Sequence, residues 1–138
     1  MGARRAFPLT LLALVACTGV TGAREDTGFH VVSSLPTDGS DDVVESQTPE
    51  LRLSAEADPE ACTGESVGLV AVNEDGSVAF ELPVTVELLD GGNKLGLDHA
   101  EPFTVGYSYG FVVRTGDTVC RDVDGRPLRA FHAEFEVR

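Results

Sequence analysis

The chain has no tryptophan, two tyrosines, three cysteines, and 10 lysine and arginine residues against 23 aspartates and glutamates. Each shortage excludes something. Without tryptophan, the core of antibody domains, an indole packed on an inter-sheet disulfide, is not available. A formal net charge of −13 repels phosphate backbones and anionic lipid headgroups, which excludes nucleic acid as a partner and leaves cations or basic surfaces as compatible ones. No apolar run reaches the roughly 20 residues that a helix needs to cross ~30 Å of hydrocarbon. There is no glycine-rich phosphate loop and no pair of carboxylates arranged for acid–base work, and nothing helical exceeds a turn, expected at Asp58–Ala61. His30, His99 and His132 are far apart, lack metal-ligand spacing and are expected at the surface.

What is present starts with Arg4 and Arg5, an apolar run from Phe7 to Ala16, and the ending Leu14-Val15-Ala16-Cys17. These are the basic region, apolar core and small-residue cleavage site of a secretory signal. The ending resembles the lipobox of bacterial lipoproteins. That resemblance implies that residues 1–16 are removed, that Cys17 becomes the lipidated first residue, and that the lipid holds the protein on a membrane. Thr18 stands where aspartate would favour the inner membrane, so the outer membrane is the expected home. A signal cut after Thr21-Gly22-Ala23 is the alternative. Residues 18–28 lack an apolar period, so residues 17–28 read as lipidated Cys17 and a tether reaching at most about 40 Å. With Cys17 so used, Cys62 and Cys120 are an even pair in an oxidising compartment, and a disulfide between them is expected.

From residue 29 to 138 short runs of period two are broken by Gly, Pro, Asn and Asp about every ten residues, the pattern of an all-β sandwich. Phe29, Val31 and Leu35 alternate, as do Leu51 and Leu53. Ser66 to Val72 is apolar throughout and suits a central strand. Val78, Phe80 and Leu82 keep their parity through Pro83 into Val84, Val86 and Leu88. Proline donates nothing to a ladder, so at Pro83 a new strand starts, or one strand bends or changes sheet. Lys94 to Asp98 and Gly106 to Arg114 follow, and the final run puts Phe131, Ala133, Phe135 and Val137 on one face against His132, Glu134 and Glu136.

The segments Val32-Ser-Ser-Leu-Pro-Thr-Asp-Gly-Ser-Asp-Asp-Val43, Pro49-Glu-Leu-Arg-Leu-Ser54, Ala57-Asp-Pro59, Gly106-Tyr-Ser-Tyr109 and Asp122-Val-Asp-Gly-Arg-Pro-Leu128 resemble, in order and spacing, bacterial Ig-like domains of the surface-layer-protein (SbsA) type. Two departures are Leu53, where an aromatic is usual, and the cysteine pair. The resemblance covers residues 29–138 and implies a Greek-key Ig-like β-sandwich of about seven strands serving as a spacer, adhesion or structural module. Tyr109, early in the penultimate strand, is the candidate for the tyrosine corner of such sandwiches. If residues 77–89 form one strand bent at Pro83, strand parity puts the loops holding Cys62 and Cys120 at one end. If Pro83 separates two antiparallel strands, the loops fall at opposite ends.

Three constellations bear on chemistry. Gly106-Tyr-Ser-Tyr-Gly110 spells the Gly-x-Ser-x-Gly of a small serine esterase, with Asp117, Asp122 and His132 following. A nucleophile elbow, however, needs a helix after the serine, and Phe111-Val-Val-Arg114 continues a strand. Asp117, Asp122 and Asp124, with Asp58 and Glu60, are calcium candidates by oxygen type but lack the spacing of a calcium loop, with Arg121 and Arg126 as competing ion partners. Asp38, Asp41, Asp42 and Glu45 read as turn and loop acids. The expectation is therefore a non-catalytic cell-envelope lipoprotein without a cofactor, held by its lipid and binding or bracing an envelope protein or polysaccharide. A cation-binding envelope protein is the alternative.

Overall fold

The computed structural model describes residues 28–138, so the signal, Cys17 and nearly all of the tether lie outside the described residues. Eight strands follow in order: β1 (Val31–Leu35), β2 (Glu50–Leu53), β3 (Val67–Val72), β4 (Val78–Leu82), β5 (Thr85–Leu89), β6 (Lys94–Asp98), β7 (Ser108–Val113) and β8 (Glu134–Glu136). They build two four-stranded sheets, β8-β7-β3-β4 and β1-β2-β6-β5, antiparallel throughout. These are the GFC and ABED orders of an immunoglobulin-type sandwich, with an extra strand beside C.

Pro83 explains why eight strands appear where about seven are expected. β4 ends at Leu82 on β3, and the same run resumes at Thr85 on β6 in the other sheet. The chain changes sheet at the residue that cannot donate to a ladder, and apolar parity survives the crossing, with Val84, Val86 and Leu88 packed against the core. β3, buried along nearly its whole length, is a central strand between β7 and β4.

The first strand departs from its expected alternation. The register slips between Val31 and Ser33, so that Ser34 faces the interior opposite Leu51 while Leu35 is 55% exposed. A bulge adds one residue and flips every side chain beyond it. Ser34 satisfies its buried hydroxyl by donating to the Pro36 carbonyl at 2.9 Å. The final run keeps its faces, with Ala133, Phe135 and Val137 buried, but forms a ladder only over Glu134–Glu136.

The core lies between the sheets and is aromatic-rich around Tyr109, with Phe103, Phe135 and Phe80 at ring-centre distances of 4.6, 6.2 and 6.3 Å. Cys62, in the loop between β2 and β3, is disulfide-bonded to Cys120, in the loop between β7 and β8. The two loops share one end, as parity requires for a run that keeps its direction through Pro83. Phe29 enters beside Leu128, which donates to the Cys120 carbonyl. The described chain thus starts at the disulfide end, while β8 runs away from it and carries Arg138 to the far end.

Candidate functional site

At the far end the sheet opens into a cleft of about 700 Å³ lined by the ends of β3 and β8, the start of β7, and the loop before β7. β7 starts only at Ser108, opposite both Val72 and Glu136, whereas the flanking chains run on to Glu74 and Arg138. Residues 106 and 107 still bond Val137, but the ladder to β3 stops at Val72 and Ser108, and the cleft opens there. Val105, 55% exposed, and half-buried Tyr107 supply its apolar wall. Phe80 stands edge-on to Tyr107 at 5.5 Å and is 39% exposed. The polar wall holds Asn73, Glu74, Glu136 and Arg138. Arg138 sits 3.8 Å from Asp41 and 3.9 Å from Glu136, longer than the ~2.7–2.9 Å of a charge-assisted hydrogen bond, so it is loosely held.

Loop composition sets the electrostatics. The far-end loops 36–49, 73–77 and 99–107 contain no lysine or arginine and carry Asp38, Asp41, Asp42, Glu45, Glu74, Asp75 and Glu101. The loop 114–133 at the disulfide end carries Arg114, Arg121, Arg126 and Arg129. Asp75, beside the cleft, accepts from the Ser77 hydroxyl at 2.6 Å and the Ser77 N–H at 2.9 Å, and these two bonds lower its pKa. It stays anionic into acid.

The walls are held by contacts that spacing alone does not reveal. His99, expected at the surface, is only 9% exposed. Its ring stacks on Phe103 at 4.1 Å, and its two nitrogens lie 2.7 Å from the carbonyl oxygens of Gln47 and Glu101. The Phe103 N–H donates to the Glu45 carbonyl, and the Thr104 N–H donates to the Tyr109 hydroxyl at 2.8 Å. Loop 99–107 is thereby tied to loop 45–49 and to the core.

Tyr109 is fully buried with its hydroxyl bonded back to the chain five residues upstream, the geometry of a tyrosine corner. Ser108 next to it opens a strand that continues through Phe111, with no helix after it. Phe111 donates to the Ala133 carbonyl, which leaves His132 three or four strand positions from Ser108, on the order of 10 Å away. The esterase reading has no elbow and no adjacent base. Tyr109→Phe is expected to cost about 1–2 kcal/mol in urea unfolding because the Thr104 N–H loses its acceptor, whereas Ser108→Ala is expected to be silent. Ester turnover that vanishes with Ser108→Ala in a folded protein would contradict this assignment.

The calcium candidates do not converge. Asp117 lies exposed in the 3-10 turn Gly116–Thr118, and Asp124 is exposed. Asp122, expected as a loop acid, is 1% exposed and committed within its own loop. Its Oδ1 accepts from the N–H groups of Asp124 at 3.1 Å and Arg126 at 2.8 Å, and its Oδ2 from the Arg126 Nε at 2.7 Å. Burial pushes its pKa up. The bonds and charge from Arg126, with the Asp124 N–H, outweigh that and leave it lowered. Asp58 turns on itself by accepting from the Glu60 N–H. Among the described residues no three His, Cys, Asp or Glu side chains are grouped to hold a metal.

No protein-family model and no curated protein sequence matches the chain. Solved structures do. An S-layer protein, rSbsC(31-844), matches with a TM-score of 0.60 and 15% identity over 83% of this chain and 14% of that one. PcoC, a methionine-rich copper resistance protein from Escherichia coli, matches at 0.55 and 16% identity over 80% of this chain and 98% of its own. CopC from Methylosinus trichosporium OB3b matches at 0.51 and 19% identity over 79% and 92%. The chain spans about one seventh of the S-layer protein. At these identities the shared property is the fold, one that S-layer and copper-resistance proteins both use.

The cleft residues are scattered over three strand ends and a loop, and no motif joins Tyr107, Glu74 and Glu136. The charge difference between loops 36–49, 73–77 and 99–107 and loop 114–133 is the sequence signal that points to them. It becomes readable once strand parity sorts loops by end.

Proposed function

We propose that this chain is a non-catalytic module of the bacterial cell envelope, held at its disulfide end through a tether and lipidated Cys17, that binds or braces another envelope component with its far end. The observation that carries the reading is polarity of construction. The described chain enters beside Leu128 and Cys120, and the cleft, with its exposed apolar wall, lies at the opposite end. A sandwich fold alone licenses no activity, so the reading rests on the entry point, the cleft and the charge. Likeness to S-layer, CopC and PcoC folds agrees with a place outside the cytoplasm.

For the cation-binding alternative, no three His, Cys, Asp or Glu side chains are grouped among the described residues. The sole methionine is Met1, both remaining cysteines are bridged, and both His99 nitrogens face carbonyls. Thioether and thiolate donors of the kind that select Cu(I) are therefore missing from this domain.

A photo-crosslinking residue at position 105 in intact cells is expected to capture an envelope component, and one at position 117 is not. Cys17→Ser is expected to move the protein from the membrane fraction to the soluble one and to abolish capture. Capture from position 117 alone, lost on adding a chelator, would overturn the far-end reading in favour of the cation-binding one.

A further inference from the structure

Building on the far-end reading, we infer that the cleft takes a polypeptide segment of the partner that presents a lysine or arginine beside an apolar side chain. Three independent features converge. The apolar wall of Val105 and Tyr107 continues to Phe80, which stands edge-on to Tyr107 at 5.5 Å and is 39% exposed. Scattered exposed apolar residues need no explanation, but a contiguous strip along a cleft marks a contact surface. Carboxylates flank that wall, Glu74 past the end of β3 and Glu136 on β8. The cleft's one base, Arg138, is held only at 3.8–3.9 Å, so an incoming guanidinium or ammonium can displace it from Glu136.

Charge complementarity selects the occupant. A second copy docked far end to far end would bring loops without a single base against loops without a single base, at a net charge of −13 per chain, and is repelled. A neutral polysaccharide would want a flat, open aromatic face. Here Tyr107 is half-buried and Phe80 meets it at 78°, edge to face. An arginine or lysine lays its aliphatic stem on apolar surface while its head reaches carboxylates, and the cleft presents those two surfaces side by side. Strand addition is not the mode: the β8 edge is closed by loop 38–43, where the Gly39 N–H donates to the Glu134 carbonyl and the Glu136 N–H to the Ser40 carbonyl, and the register of β4 slips at Val78.

The test titrates the full-length protein, purified in mild detergent, with an acetyl-Val-Lys-Val-Lys-Val amide peptide, its lysine-acetylated form, its Glu-for-Lys form, and a neutral glycan fragment. Amide shifts are read by NMR. The lysine peptide is expected to move resonances of residues 72–74, 105–108 and 136–138 and to bind more weakly at higher salt. Glu74→Lys with Glu136→Lys should weaken it by about tenfold or more. Val105→Ser, at an exposed loop position, should weaken it while leaving the charge of the cleft unchanged. Equal binding of the acetylated or Glu peptide, shifts confined to loops 54–66 and 114–133, or no binding of the lysine peptide overturns the inference. Glycan binding at the same residues would also overturn it while leaving the far-end function standing, whereas crosslinks from position 117 would remove both.

Discussion

Replacing both Cys62 and Cys120 with alanine is expected to lower the unfolding free energy by about 4 kcal/mol, read as a fall in the urea midpoint. The bridge joins residues 58 apart in sequence. Closing a loop of that length removes chain entropy from the unfolded state by about this amount. Both cysteines are buried, at 1% and 0% exposure, so alanine also leaves small voids that add to the loss. For a domain whose total stability is about 5–15 kcal/mol, the effect is a large share of the whole. The urea midpoint of the wild-type protein should fall in the same way when dithiothreitol is present. A midpoint that dithiothreitol leaves unchanged would show that the bridge contributes little. Because the loops it joins are those through which the chain enters, its loss should loosen the tether end first. Hydrogen exchange should then rise in loops 54–66 and 114–133 before it rises around Tyr109.

Asp122→Ala is expected to cost about 3 kcal/mol, since a buried carboxylate that organises its loop is removed and two backbone N–H groups and the Arg126 side chain lose their acceptor. The same residue sets an acid limb. Its pKa is lowered in the folded protein from an ordinary 3.8, so its contribution is fully present above that value and is lost as pH falls through the lower folded value. Stability of the wild-type protein should therefore drop on acidification below about pH 4, and Asp122→Asn should flatten that part of the curve. If the two proteins lose stability in parallel there, Asp122 is not the group responsible.

Several motifs legible in the sequence acquire physical reasons. In Asp122-Val-Asp-Gly-Arg-Pro-Leu128, Asp122 ties the backbone of residues 124 and 126, Gly125 takes the positive φ of 88° that the turn requires, and Leu128 enters the core. In Pro36-Thr-Asp-Gly39, Gly39 has φ 86°, its N–H donates to the Glu134 carbonyl, and Asp38 accepts the Glu134 N–H at 2.8 Å. That turn closes the β8 edge, which would otherwise present unpaired groups. Both motifs are local chain geometry and so survive in the order of residues. Leu35 and His99 were not legible. A one-residue bulge at Val31–Ser33 decides the first, and the second depends on a carbonyl 52 positions away in sequence, that of Gln47.

What the sequence by itself determined is whatever follows from period, composition and neighbours along the chain. That includes an all-β sandwich, a break at Pro83, the core faces of β3 and β8, and an excess of negative charge, because alternation and charge are properties of the strand as written. Tertiary structure alone decided that the run through Pro83 changes sheet. It also decided that Asp122 is buried on Arg126 and that His99 binds loop 99–107 to loop 45–49. The cleft belongs to the same class. It exists because the ladder between β3 and β7 stops at Val72 and Ser108 while both chains run on, a relation that no single segment contains, and it gathers Glu74, Val105, Tyr107 and Glu136 only when three segments meet.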